Sequence, residues 1–135
     1  TQLYSAGTKN LLAAMGHHGV ERLVVISSEV AEHWAHQGLL KLWIVLPLLQ
    51  HFLGATYDDM RRMDIVLWES DARWTAIRAP RIQPVRPGKA KNRYRLSASA
   101  PVPRGWMITA PDMATALLDI AERNDLNRRH VYVAN

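Results

Sequence analysis

Apolar residues occur along this chain in two kinds of run. In the first they recur at three- and four-residue spacing. Leu11, Leu12 and Met15 do so before Gly19, and Leu53, Tyr57, Met60, Met63, Val66 and Leu67 do so over a longer stretch. Met113, Ala116, Leu117 and Ile120 repeat the pattern after Pro111-Asp112. That period puts the residues on one face of a helix. In the second kind they stand side by side: Leu23-Val24-Val25-Ile26, Trp74-Thr75-Ala76-Ile77 and His130-Val131-Tyr132-Val133. Short continuous runs rich in β-branched residues are typical of strands buried on both faces of a parallel sheet.

Punctuation sets the boundaries. Ser5 is the expected N-cap of the first helix and Gly19 its stop. The second long helix spans roughly Pro47 to Ser70, with Pro47 in its first turn. Ser27 to Gln37 reads as loop with a short helix. Pro80, Pro84, Pro87 and Gly88 mark another loop. Arg93 to Ser97 and Trp106 to Ile108 are candidate short strands. The resulting order is helix, strand, helix, strand, irregular insert, helix, strand. Strands alternating with helices predict parallel βαβ units with right-handed crossovers. About three parallel strands leave one terminal strand with an open apolar edge, which natural sheets cover or pair.

The chain has 135 residues, so residues 1–135 are read as one domain. With 48% apolar and 21% charged residues, a packed core is expected and disorder is not. There is no cysteine, which removes disulfides and thiolate metal sites and fits a cytoplasmic protein. Glu29, Glu32, His33 and His36 could share a helical face, but no His-Glu-x-x-His pattern is present and no metal site is expected. The apolar stretch from Leu39 to Leu53 contains Lys41, Pro47, Gln50 and His51, too short and too polar for a membrane span. No secretory signal pattern occupies residues 1–20.

The formal charge is +5, and its excess is local. From Ala72 to Pro111 there is no Asp or Glu, while Arg73, Arg78, Arg81, Arg86, Lys89, Lys91, Arg93, Arg95 and Arg104 all occur. Such a stretch could meet nucleic acid, an anionic membrane or a phosphorylated small molecule, or be a solvated loop next to an anionic cofactor or a more acidic missing half. Nucleic acid is disfavoured, because no recognition motif is present and only Tyr94 interleaves the cations from Arg78 to Arg95.

These blocks, in this order, resemble a known family. Gly7-Thr8-x-Asn10 with Ala13-Ala14-Met15 leads into Gly19-Val20-x-Arg22-Leu23-Val24-Val25-Ile26-Ser27-Ser28. Tyr57-Asp58-Asp59-Met60-Arg61-Arg62-Met63, Trp74-Thr75-Ala76-Ile77-Arg78-Ala79-Pro80-Arg81-Ile82 and Asp112-Met113-Ala114 follow, with His130-Val131-Tyr132-Val133 last. Together they resemble the NmrA-like, NAD(P)H-binding branch of the atypical short-chain dehydrogenases/reductases, close to biliverdin-IXβ/flavin reductases. The resemblance implies an α/β fold: the C-terminal part of a Rossmann-type doubly wound parallel sheet. It lacks the N-terminal βαβ unit whose glycine-rich turn cradles the pyrophosphate. It also implies an NADP or NAD cofactor and hydride transfer to a small planar acceptor such as a flavin or quinone. Without the missing turn, weak cofactor binding is expected. A homo-oligomer or protein partner at the open sheet edge is the alternative.

Several residues could carry chemistry. Ser27 and Ser28 end the first strand, and ligands of open α/β sheets bind at the carboxyl ends of strands. A serine hydroxyl there can donate to a carbonyl, or simply cap the turn before Glu29. Tyr57-x-x-x-Arg61 lies where the superfamily has Tyr-x-x-x-Lys, and one helical turn puts both on one face. The resemblance makes Tyr57 a proton donor and Arg61 the cation that holds ribose hydroxyls. The plainer reading is a core-facing tyrosine beside surface arginines. Ala79-Pro80-Arg81-Ile82 follows the second strand, where the family's turn closes over the nicotinamide. The catalytic candidates are therefore Tyr57, Arg61 and Ser28. The cofactor candidates are Ser27, Ser28, Ala79, Pro80, Arg81 and Ile82.

Overall fold

A computed structural model of the chain describes residues 1–29, 46–86 and 88–135, without the side chains of residues 46, 49, 50 and 52. The expected short helix before Gln37 falls largely outside these residues, as do Glu32, His33, Trp34, His36 and Trp43. Contacts divide the chain into two compact units. One comprises residues 1–21 and 30–72, the other residues 22–29 and 73–135.

The first unit holds α1 (Leu3–His18) and α2 (Leu46–Glu69). Gly19 ends α1 at φ 69°, and the Val20 N–H returns to the Met15 carbonyl at 3.0 Å. This is the left-handed stop that glycine permits. The start of α1 differs from expectation. The helix begins at Leu3, Gln2 is its N-cap, and Ser5 lies inside the first turn. The cap comes instead from α2. The buried Asp59 carboxylate accepts the Tyr4 N–H at 2.8 Å and the Ser5 hydroxyl at 2.5 Å. A buried carboxylate requires donors. Accordingly α1 buries Ser5 and Thr8, while Leu11 of the expected apolar stripe is 52% exposed. On α2 the stripe holds at Tyr57, Met63 and Leu67, which are buried.

The second unit is built on a four-stranded sheet of β1 (Arg22–Ser28), β2 (Arg73–Ala79), β6 (Arg129–Ala134) and β4 (Arg95–Ser97), in that spatial order. β1, β2 and β6 are parallel, with Ile26 opposite Ile77 and Ile77 opposite Val131. The three apolar runs therefore lie side by side in one direction, as the sequence predicts. β4 adds an antiparallel edge on β6, with Leu96 opposite Val133. Two further strands, β3 (Arg81–Gln83) and β5 (Met107–Thr109), form a separate parallel pair. The strand at Arg81–Gln83 has no signal in the apolar pattern.

Helix α3 (Ala110–Ala121) starts on Thr109, whose hydroxyl accepts the Asp112 N–H at 3.3 Å, with Pro111 in the first turn. Its Met113, Ala116 and Ile120 pack with Ile77, Ala79, Val131, Val133, Ile108 and Leu126 into one core, flanked by Val24 and Ile26. Side chains alternate across a strand. The partners of Ile77 and Ala79 thus define the α3 face, and Trp74, Ala76 and Arg78 point to the other. On that other face Trp74 meets His130 edge-on, with ring centroids 5.3 Å apart. Among the described residues, no helix is long and apolar enough to cross a membrane.

Candidate functional site

The carboxyl ends of β1 and β2 gather all six cofactor candidates. Ser27 stands opposite Arg78 and Ser28 opposite Ala79. Pro80 has no N–H to continue the ladder, so β2 ends there. Arg81 and Ile82 move into the second sheet, opposite Met107 and Ile108. Proline thus makes the turn that carries the chain away from the main sheet at the edge where ligands of such sheets bind.

The pleat separates the two serines. Ser28 lies on the α3 face with Val24, Ile26 and Ala79. Ser27, only 2% exposed, lies on the opposite face beside Arg78. The Arg78 Nη1 donates to the Ser27 Oγ at 3.4 Å. The register extends this level across the sheet, with Arg78 opposite Tyr132 and Tyr132 opposite Ser97. Four polar side chains thus form a transverse row, one step beyond the apolar row Ile26–Ile77–Val131. Arg78 and Tyr132 are both buried. Sequence reasoning about candidate sites passed over Arg78. Its signal was present as the one charged residue in Trp74–Ala79.

Tyr57 and Arg61 belong to the helical unit. Tyr57 is buried, and burial raises the pKa of its phenol. Arg61 donates to the Asp58 carboxylate at 2.7 Å, within its own helix. The neighbouring Asp59 is the better-supported group in this unit. Burial alone would push its pKa up. The Ser5 hydroxyl, the Tyr4 and Ser5 N–H groups and the Arg62 charge outweigh burial and hold it below the ordinary carboxylate range.

At the start of α3, hydrogen bonding also fixes a carboxylate. Asp112 accepts from the Thr109 hydroxyl, from Asn135 Nδ2 at 3.0 Å and from the Lys91 N–H at 3.0 Å. The Thr109 bond leads in holding its pKa down, against burial, with help from Asn135 and the Lys91 and Asn92 N–H groups. An internal anion therefore occupies this helix N-terminus, which removes it as a phosphate seat. Of the glycines with positive φ, Gly19 ends α1 and Gly88 lies in a turn. Among the described residues, neither opens a helix after a strand, and no group could hold a metal ion.

The donor set at the β1–β2 edge fits one end of a dinucleotide. A buried serine hydroxyl, a guanidinium behind it and the backbone of a proline turn suit a carboxamide. A glycine-rich phosphate cradle is not among the described residues. Fold and edge together define a Rossmann-type dinucleotide-binding domain, represented here by its carboxyl-terminal strands.

Comparison with known proteins agrees. A family model described as NAD(P)H-binding matches residues 2–124, and the chain belongs to that family. No curated protein matches it in sequence. Among solved structures it is similar to a short-chain dehydrogenase/reductase from Veillonella parvula, at a TM-score of 0.78 and 16% identity, covering 100% of this chain and 60% of that one. The NADP complex of a Veillonella parvula short-chain dehydrogenase/reductase gives 0.76 and 16%, covering 97% and 58%. ChuY, an anaerobillin reductase from Escherichia coli, gives 0.75 and 12%, covering 99% and 59%. At these identities the likeness establishes the fold. The chain spans about three fifths of the length of each. The expected class, the C-terminal part of a Rossmann-type sheet in an NAD(P)H-binding family, is borne out.

Proposed function

We propose that this chain is the acceptor-side portion of a cytoplasmic NAD(P)H-dependent reductase. Its activity is hydride transfer to a small planar acceptor of flavin or quinone type. The observation that carries this reading is the β1–β2 carboxyl edge, where Ser27, Arg78 and the Pro80 turn converge. The bound cofactor supplies the hydride, and the protein supplies orientation and electrostatics. Ser27 and the backbone of Ala79, Pro80, Arg81 and Ile82 hold the carboxamide, and Ser28 lines the acceptor side. For Tyr57 and Arg61, which lie in the helical unit, the family resemblance supports the roles of proton donor and ribose-holding cation. The Tyr57 phenol is protonated near neutral pH at its ordinary pKa, as a donor must be, and burial raises that pKa further.

NADPH titration of this chain, followed by backbone-amide NMR and tryptophan fluorescence, tests the reading. Saturable binding is expected at about millimolar Kd, since the phosphate cradle accounts for much of the affinity. The shifts should centre on residues 27–28 and 79–82. Shifts elsewhere, or none, overturn it.

A second reading has its own support. Among the described residues β1 pairs only with β2, and Leu23–Ile26 are half-buried where an interior strand would be covered. An unprotected apolar edge of this kind templates strand addition. The chain would then be a non-catalytic module that docks a protein partner or a second copy there. A monomer by light scattering that binds no hydrophobic dye argues against it.

A further inference from the structure

Arg78 occupies a costly position. A guanidinium inside a sheet loses hydration, which only specific partners offset. It is 7% exposed and stands level with Ser27 on one side and Tyr132 on the other. Charged groups buried at the ligand end of a sheet are candidate functional groups. The chemistry of the pair is directional. A guanidinium has only donors, whereas a serine hydroxyl has one proton and two lone pairs. When Arg78 Nη1 donates to Ser27 Oγ, it takes up a lone pair and leaves the serine proton to be given elsewhere.

We infer that Arg78 is a positioning residue that fixes the Ser27 hydroxyl as a donor toward the carboxamide of a nicotinamide at the β1–β2 edge. This rests on the reading of that edge as the nicotinamide end. It goes beyond that reading in naming what sets the hydroxyl's direction. Without Arg78, Ser27 is free to turn its proton back onto a strand carbonyl. With Arg78 the donor is set before the ligand arrives, which lowers the ordering cost of binding.

The test compares two probes on the full chain by NMR titration: NADPH, and 2′-phospho-ADP-ribose, which lacks the nicotinamide. Wild type should bind NADPH more tightly than the truncated probe. Arg78→Met and Ser27→Ala should each weaken NADPH by up to about tenfold, the scale of one hydrogen bond from the Ser27 hydroxyl to the carboxamide. Both should leave 2′-phospho-ADP-ribose unchanged. The double variant should be no worse than the weaker single, because the two act as one unit. Arg78→Lys, which keeps a cationic donor, should recover part of the difference and serves if Arg78→Met does not fold. If wild type fails to distinguish the probes, the nicotinamide reading itself falls. If wild type distinguishes them and the Arg78 variants do so equally well, or the Arg78 and Ser27 effects simply add, the positioning role is overturned while the reading of the edge stands.

Discussion

Replacing Arg22 by Met should destabilise the sheet unit by about 2 kcal/mol, and the figure can be worked from its bonds. Arg22 opens β1 and reaches the far end of α3. Its Nη2 donates to the Ile120 carbonyl at 2.7 Å and its Nε to the Ala121 carbonyl at 3.3 Å. Its Nη1 donates to the Arg73 carbonyl at 2.9 Å and to Asn127 Oδ1 at 3.1 Å. The first two acceptors are last-turn carbonyls, although that of Ile120 also accepts the Arg123 N–H at 3.1 Å, and a cation there meets the negative end of the helix dipole. A charged donor contributes about 1.5–3 kcal/mol per bond when the acceptor would otherwise go unmet. The full sum is not reached. Burial and then the nearby Arg73 charge lower the pKa of Arg22, a sign that the cation is held at a cost. The freed carbonyls also regain water, and Met keeps the apolar stem. One strong bond plus about 0.5 kcal/mol for the helix end gives the 2 kcal/mol. Urea unfolding should then show a midpoint lower by about 1 M with unchanged slope. The loss should persist in 1 M salt, because the acceptors are neutral carbonyls and an amide rather than a screened counter-charge. Arg22→Lys should lose about half as much. A midpoint for Arg22→Met within experimental error of wild type would refute the assignment of this side chain as the clamp between α3 and the strand starts.

Other predictions follow from single contacts. A Cβ on Gly105 would lie 2.6 Å from Ala134 Cβ and 2.8 Å from the Val102 carbonyl oxygen. Gly105→Ala should therefore cost about 1–3 kcal/mol in urea unfolding, and a neutral result would mean the 102–105 turn shifts freely. Asp59→Asn should raise amide exchange in the first turn of α1. The folded pKa of Asp59 is lowered, so its contribution is present above the unfolded value near 3.9 and disappears as pH falls through the folded one. The variant should flatten the acid limb of stability, and an unchanged limb would contradict the cap. Tyr94 donates to Asp119 at 2.8 Å, and burial first, then that bond and charge, push its pKa up to about 12. Its contribution should hold below pH 10 and be lost between pH 10 and about 12. In a phenolate absorbance titration, Asp119→Asn should bring Tyr94 part of the way back, since burial remains, and no movement would exclude the pair.

The residues legible in the sequence are those whose environment is repeated along the chain. Trp74–Ile77 and Val131–Val133 are buried and Leu23–Ile26 half-buried, and strands in that setting show as unbroken apolar runs. The helix ends at Gly19 and Pro111 are legible because the backbone itself demands those residues. What is not legible depends on partners far along the chain. The cap of α1 comes from Asp59, more than fifty residues from Ser5, so no local rule finds it. β3 exists because Arg81–Gln83 meets Met107–Thr109, and three residues with one apolar member carry no period. The candidate site divides in the same way. Its location at the strand ends is a consequence of topology and follows once the strands are placed. Its chemistry depends on register. Ser27 and Ser28 look equivalent in sequence, and the pleat sends them to opposite faces. A count of charges groups Arg78 with Arg81 and Arg86, yet the fold buries the first and exposes the other two. Charge composition therefore identified the basic stretch and missed the arginine that matters most to the site. That arginine is distinguished by standing one strand across from a serine.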